Sequence, residues 1–216
     1  VMARDLATTL AWVETGTGLC ASAIAGLSER EYDAASALPG WTRKHVVAHL
    51  AANAEAIGNL VRWARTGEPA PMYASPQARA AGIERGALLD AGELARWFTE
   101  SAATLATAMA ALPEEAWRAE VVTAQGRTVP ASEIPWMRSR EVMVHAVDLA
   151  TGLTFADLPD GFLRELREDI RAKRGPGAVP DVEGSLPDVT AYLAGRPASG
   201  VTAADGGRPP TLPPWL

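Results

Sequence analysis

The sequence predicts a mainly α fold, an up-down-up-down four-helix bundle followed by a small α/β C-terminal domain. Three observations lead there. Long alanine-rich stretches carry apolar residues at helical spacing, Gly and Pro punctuate the gaps between them, and after Gly152 the composition shifts towards Pro and Gly. With 48% hydrophobic residues in 216, the chain holds enough apolar material for a sizeable core, so disorder is not the default reading.

The first helix is expected from about Arg4 to Leu27, with Leu6, Leu10 and Val13 opening its apolar face. Pro39-Gly40 breaks the chain, and Thr42 is placed to cap a second helix running to about Arg65. Its apolar positions are Val46, Leu50, Ile57, Leu60 and Val61, and Gly67, Pro69 and Pro71 end it. The connection from Glu68 to Leu89 is long and mostly polar, which points to a lid or pocket wall rather than an idle loop. A third helix follows over about Ala91 to Leu112, carries Leu94, Phe98, Leu105 and Met109, and stops at Pro113. Val121 to Ser132, with Gly126 and Pro130, reads as an ordered loop with extended character. The fourth helix begins near Pro135 and carries Val142, Val144, His145, Val147 and Leu149 towards Gly152. These four are assigned to a bundle over residues 1–153. In residues 154–216, helices are expected at about Gly161–Lys173 and Leu186–Leu193, with Gly175, Pro176 and Pro180 between them. Val201-Thr202-Ala203 has strand character, and a tail this small is expected to dock on the bundle.

A net charge of -6, with no Lys/Arg run longer than two, argues against nucleic acid and anionic membrane as partners. No apolar stretch reaches the roughly 18 residues of a membrane span. Arg4 and Asp5 interrupt the stretch from Val1 to Leu10, unlike a signal peptide. The expectation is a cytoplasmic protein, with a monomer as its working state. The single cysteine, Cys20, excludes an intrachain disulfide and any multi-cysteine metal site. Set among Ala and Leu, it reads as a small buried hydrophobe rather than a catalytic thiol. The seven tryptophans read mostly as core and pocket wall.

Only three histidines are present, His45, His49 and His145. Glu141 and His145 are four apart on the fourth helix, so they project from one face about 5–6 Å apart at Cβ. His49 sits among Val46, Val47, Ala48 and Leu50 on the second helix, where a polar side chain is costly unless paired or bound. One His from one helix and a Glu–His pair from another can build a metal site in a bundle core. His49, Glu141 and His145 then supply three N/O ligands with a fourth position open, as in catalytic zinc sites. The bland readings are a surface Glu–His pair, a hydrogen-bonded core histidine at 49, and a ligand pair drawn instead from His45 and His49. Arg43 and Lys44 place His45 nearer the polar side. Asp148 either orients His145 or pairs with an arginine. Arg127, Arg138, Arg140 and Arg196 are candidates for carboxylate recognition, since a guanidinium binds carboxylate as a fork, although most arginines are simply solvated.

Several stretches resemble the mycothiol-dependent maleylpyruvate isomerases. They are Leu38-Pro39-Gly40-Trp41-Thr42-Arg43 with Val46-Val47-Ala48-His49-Leu50, and Pro71-Met72-Tyr73 with Ser75-Pro76 and Ala78-Arg79. The longest match runs from Thr123-Ala124-Gln125-Gly126-Arg127 to Ser132 and on through Trp136-Met137-Arg138-Ser139-Arg140-Glu141-Val142 to His145-Ala146-Val147-Asp148-Leu149. Gly184-Ser185-Leu186, Ala194-Gly195-Arg196, Gly200-Val201-Thr202 and Trp215-Leu216 resemble the family's C-terminus. The resemblance implies a four-helix bundle of the DinB-like type, with zinc ligands at His49, Glu141 and His145 and an essential arginine at Arg196, supplied by the C-terminal domain of residues 154–216. It implies conversion of maleylpyruvate to fumarylpyruvate in gentisate breakdown, with mycothiol as thiol cosubstrate and a dicarboxylate as substrate. The sequence departs from the family pattern between about Lys173 and Gly184, where a longer insert with strand character is expected. The alternatives are a mycothiol S-transferase or thiol-exchange enzyme on the same fold, and a partner-binding bundle with structural zinc.

Overall fold

The computed structural model describes residues 4–175, 177–213 and 215. Val1, Pro176 and Leu216, which enter the sequence reading as the start of the N-terminal stretch, a breaker and part of the C-terminal motif, lie outside the described residues. The chain divides into two compact units, Val1–Thr151 and Gly152–Leu216.

In the first unit, local chemistry sets each boundary. Helix α1 (Leu6–Ile24) starts where the Asp5 carboxylate accepts the Thr8 N–H at 2.8 Å. A short α2 (Glu29–Asp33), held by a Ser28/Glu31 capping box, occupies the connection that the sequence reading left without structure. Helix α3 (Arg43–Thr66) is capped at Thr42 as expected, and the His45 ring Nδ1 accepts the Thr42 N–H at 3.2 Å. The polar connection that follows contains a further helix, α4 (Pro76–Gly86), with Ser75 as N-cap and proline in its first turn. Helix α5 (Ala91–Ala110) begins at an Asp90/Glu93 capping box. Strands β1 (Glu120–Val122) and β2 (Thr128–Pro130) then form an antiparallel hairpin, with Val121 opposite Val129. Helix α6 (Ile134–Asp148) closes the unit.

Helices α1, α3, α5 and α6 form the bundle, so the mainly α class stands. Its threading is up-down-down-up, where the sequence reading took successive loops to alternate between the two ends. Arg4 pairs with Glu133 at 2.7 Å, Trp12 meets the Trp136 edge at 5.9 Å, and Cys20 Sγ lies 3.1 Å from the Val142 carbonyl, so α1 and α6 run parallel. Glu55 accepts from Trp97 at 2.7 Å while Leu60 and Ala64 share a cluster with Leu105 and Met109, so α3 and α5 also run parallel. The cause is α4, which carries the chain back along α3 before α5 begins. The return is tight, since a Cβ on Gly86 would lie 2.7 Å from both Ala48 and Trp97. Gly16 has the same role between α1 and α6, where a Cβ would lie 2.5 Å from Val142 Cγ2.

The apolar core gathers Ile57, Leu60 and Val61 of α3 with Leu105 and Met109 of α5 and Ile134 of α6. Each such fully buried side chain contributes about 1.5–3 kcal/mol. At the other end Arg43 donates from Nε to the Leu149 carbonyl at 2.7 Å and from Nη2 to the Ala150 carbonyl at 2.8 Å. It thereby satisfies carbonyls left open where α6 stops.

In the second unit, α7 (Asp160–Arg174) packs Phe162, Leu163, Leu166 and Ile170 inward, and α8 (Leu186–Leu193) packs on it. Strands β3 (Val182–Glu183) and β4 (Thr202–Ala203) pair antiparallel, which gives the expected strand at Val201-Thr202-Ala203 its partner.

Candidate metal centre and its pocket

Helix α3 and helix α6 run antiparallel, so the early turns of one face the later turns of the other. Arg138, fully buried, locks that register from α6. Its Nη1 donates to the Leu50 carbonyl and to Asn53 Oδ1, both at 2.8 Å. One turn away, His49 of α3 meets Glu141 and His145 of α6. Glu141 Oε2 lies 3.0 Å from His49 Nε2 and 3.3 Å from His145 Nε2. The two imidazoles stand edge to face, with ring centres 5.0 Å apart.

The ring nitrogens on the far side are also held. His145 Nδ1 lies 2.8 Å from Asp148 Oδ2, so Asp148 takes the orienting role rather than only pairing with an arginine. His49 Nδ1 lies 3.3 Å from Arg79 Nη2, and Trp41 covers the His49 ring at 5.7 Å.

Burial alone would raise the Glu141 carboxyl, but hydrogen bonds from His145 and His49 outweigh it and hold the group well below the usual carboxylate range. Burial lowers His49, and its bond to Glu141 does not make up the difference. Burial also disfavours charge on His145, yet its bonds to Asp148 and Glu141 prevail and raise it.

The donor set fits a divalent metal ion. One ligand atom from each of His49, Glu141 and His145 lies within 4.8 Å of the others, and the two imidazoles and one carboxylate are the donors zinc accepts. His45 is outside this group. It caps α3, stacks on Trp41 at 6.2 Å and faces Glu84 at 3.6 Å, so the alternative pair of His45 with His49 does not form.

His49 and Glu141 line a cavity of about 760 Å³. Its walls come from two places. The connection between α3 and α4 supplies Met72, Tyr73 and Ser75, with Arg79 from α4 itself; the hairpin turn supplies Thr123, Ala124 and Gln125. That turn is held by the Thr123 N–H donating to the Arg127 carbonyl at 2.9 Å.

A family model described as the mycothiol maleylpyruvate isomerase N-terminal domain matches residues 13–150. A crystal structure of a mycothiol-dependent maleylpyruvate isomerase is similar with a TM-score of 0.92 at 40% identity, over 98% of this chain and 98% of that one. The chain belongs to the mycothiol-dependent maleylpyruvate isomerase family. A histidine-to-alanine mutant of such an isomerase is similar to the same degree, with a TM-score of 0.92 at 39% identity and 98% of both chains covered. No curated protein sequence matches the chain.

Between Lys173 and Gly184, where the sequence departs from the family pattern, the described residues include the short strand β3. Of the arginines singled out in the sequence, Arg127 is exposed beyond the hairpin turn and Arg138 is committed to α3. Arg140 stacks over Trp136 at 5.8 Å. Arg196 lies in the second unit, just after α8, where its Nη1 donates to the Ala194 carbonyl at 2.8 Å.

Sequence reasoning quoted Arg79 only inside a matched stretch, although it is the cation that lines this isomerase-family pocket. The signal was Ser75-Pro76, an N-cap followed by proline, which starts a helix and puts position 79 at the end of its first turn. Cys20 is buried, and burial pushes its thiol up to about 12, which suits packing and not nucleophilic attack. Among the described residues no helix is long and apolar enough to cross a membrane.

Proposed function

We propose that this chain converts maleylpyruvate to fumarylpyruvate, with zinc held by His49, Glu141 and His145 and mycothiol as cosubstrate. The observation that carries the reading is the convergence of these three side chains beside an open pocket, in a chain of this family. Three protein donors leave coordination free, which supports a catalytic centre over a structural staple. The reading takes the enzyme to be cytoplasmic and monomeric, with a dicarboxylate and a low-molecular-weight thiol as its partners.

His49, Glu141 and His145 would hold the zinc, which would supply a site favouring the thiolate form of an added thiol, the nucleophile that isomerisation by addition and elimination needs. The protein's part is electrostatic and positional. Two neutral imidazoles and the Glu141 carboxylate cancel only one of the ion's two charges, so the centre stays cationic and favours an anionic sulfur. Asp148 fixes the His145 ring, and Arg138 fixes α6 against α3, so the three donors keep their places. Arg196 pairs with a substrate carboxylate or with the oxygen that gains charge as the double bond is attacked, where a preplaced cation is most effective.

The test is an assay of the purified protein with maleylpyruvate and mycothiol, before and after chelation. Isomerisation that needs both thiol and zinc is expected. Full activity in metal-free protein would remove the zinc assignment, and turnover of other electrophiles without maleylpyruvate isomerisation would favour the S-transferase. Arg196→Ala is expected to keep its zinc and lose about 100-fold or more in turnover; unchanged turnover would remove Arg196 from the site.

A further inference from the structure

Among the described residues that line the pocket, Arg79 alone carries a fixed positive charge. Its guanidinium touches the His49 ring through Nη2 at 3.3 Å and lies 5.9 Å from the centre of the Tyr73 ring. Neither partner is an anion, and no carboxylate of the described residues pairs with Arg79. Helix α4, which carries it, is seated firmly by the close approach of Gly86 to Ala48 and Trp97. A cation is therefore held beside His49 in the pocket wall, with no carboxylate of the described residues paired to it.

We propose that Arg79 receives a carboxylate of the unsaturated dicarboxylate substrate and sets specificity for an anionic group beside the double bond. The inference rests on the function proposed above and names the residue that recognises the substrate at that site. A guanidinium has five N–H donors in a planar fork, and the contact with His49 engages one of its nitrogens over a long distance. A carboxylate offers two charged acceptors in matching geometry, a better partner than a neutral ring nitrogen.

Arg79 can only donate, so His49 Nδ1 accepts from it, and the contact spends one guanidinium nitrogen on a neutral ring. The neighbouring arginines offer no substitute, since Arg138 is tied to Leu50 and Asn53, and Arg140 stacks on Trp136.

The experiment compares zinc-loaded wild type with Arg79→Ala and Arg79→Lys. It reads steady-state kinetics with maleylpyruvate, calorimetric binding of maleate as a non-reacting dicarboxylate, and zinc content. Arg79→Ala is expected to raise KM for maleylpyruvate and weaken maleate binding by about 10–100-fold, with zinc content and the mycothiol KM unchanged. Arg79→Lys is expected to recover part of the loss. Unchanged KM and maleate affinity in Arg79→Ala would overturn the proposal, as would loss of zinc from both variants, which would make Arg79 a support for the metal centre. If wild type binds maleate but does not isomerise maleylpyruvate, the proposed function fails, while the maleate comparison still decides on Arg79.

Discussion

At one end of the α3–α6 pair, Ile57, Leu60, Val61 and Ala64 pack on Ile134 and Met137, with Leu105 and Met109 of α5 closing the cluster. Towards the other end, the same two helices face each other through His49, Asn53, Arg138, Glu141 and His145. Removing apolar surface from water holds the first end together. The second is held by hydrogen bonds, each worth about 1 kcal/mol net, set against the cost of burying charged groups. That cost is visible at Arg138, which is fully buried, whose Nη2 has no hydrogen-bond partner, and whose guanidinium burial pulls down to about 10. The apolar end thus supplies stability, and the polar end uses it to hold His49, Glu141 and His145 together beside a pocket. A substitution at one end should move its own property and spare the other.

His49→Ala tests this most severely. Metal binding and isomerisation are expected to be lost together, as measured by bound zinc and by turnover, while the metal-free protein stays folded. Leu60→Ala is the mirror experiment. Its side chain is fully buried in the apolar cluster, so the change is expected to cost about 2–5 kcal/mol of stability in chemical denaturation. One zinc per folded chain should remain. If Leu60→Ala stayed folded and lost its metal, the two ends would be coupled and the contrast drawn between them would fail.

The two ends also differed in how well the sequence announced them. Apolar spacing at Leu50, Ile57, Leu60 and Val61 marked α3 without help, because a buried face repeats every three or four residues. The spacing of Glu141 and His145 likewise put both on one face of α6. What spacing could not reveal was direction. The polar segment after α3 holds a whole helix, α4, whose apolar positions are few because it lies half exposed at the rim of the pocket. With α4 unseen, the return along α3 and the parallel run of α5 were unseen too, and with them the arrival of Arg79 at His49. Spacing left Asp148 between orienting His145 and pairing with an arginine, and the structure places its carboxylate 2.8 Å from His145 Nδ1.

Asp148 gives the smallest effect and the finest test of the polar end. Burial disfavours charge on His145, and the Asp148 bond, with help from Glu141, raises its pKa against that burial. A protonated imidazole cannot ligate, so metal loading should fall as pH drops through the raised His145 value. Asp148→Asn removes the charge that holds the proton, and the His145 pKa moves down. Two opposed changes are then expected in a zinc titration across pH. At alkaline pH the variant should bind about 10–100-fold more weakly, because the ring loses its orienting partner. At acid pH the variant's loading should persist to lower pH than in wild type, because fewer protons compete for Nε2. Curves of the same pH midpoint, separated only in affinity, would show that Asp148 packs against His145 without tuning it. The polar end would then be held by shape, as the apolar end is.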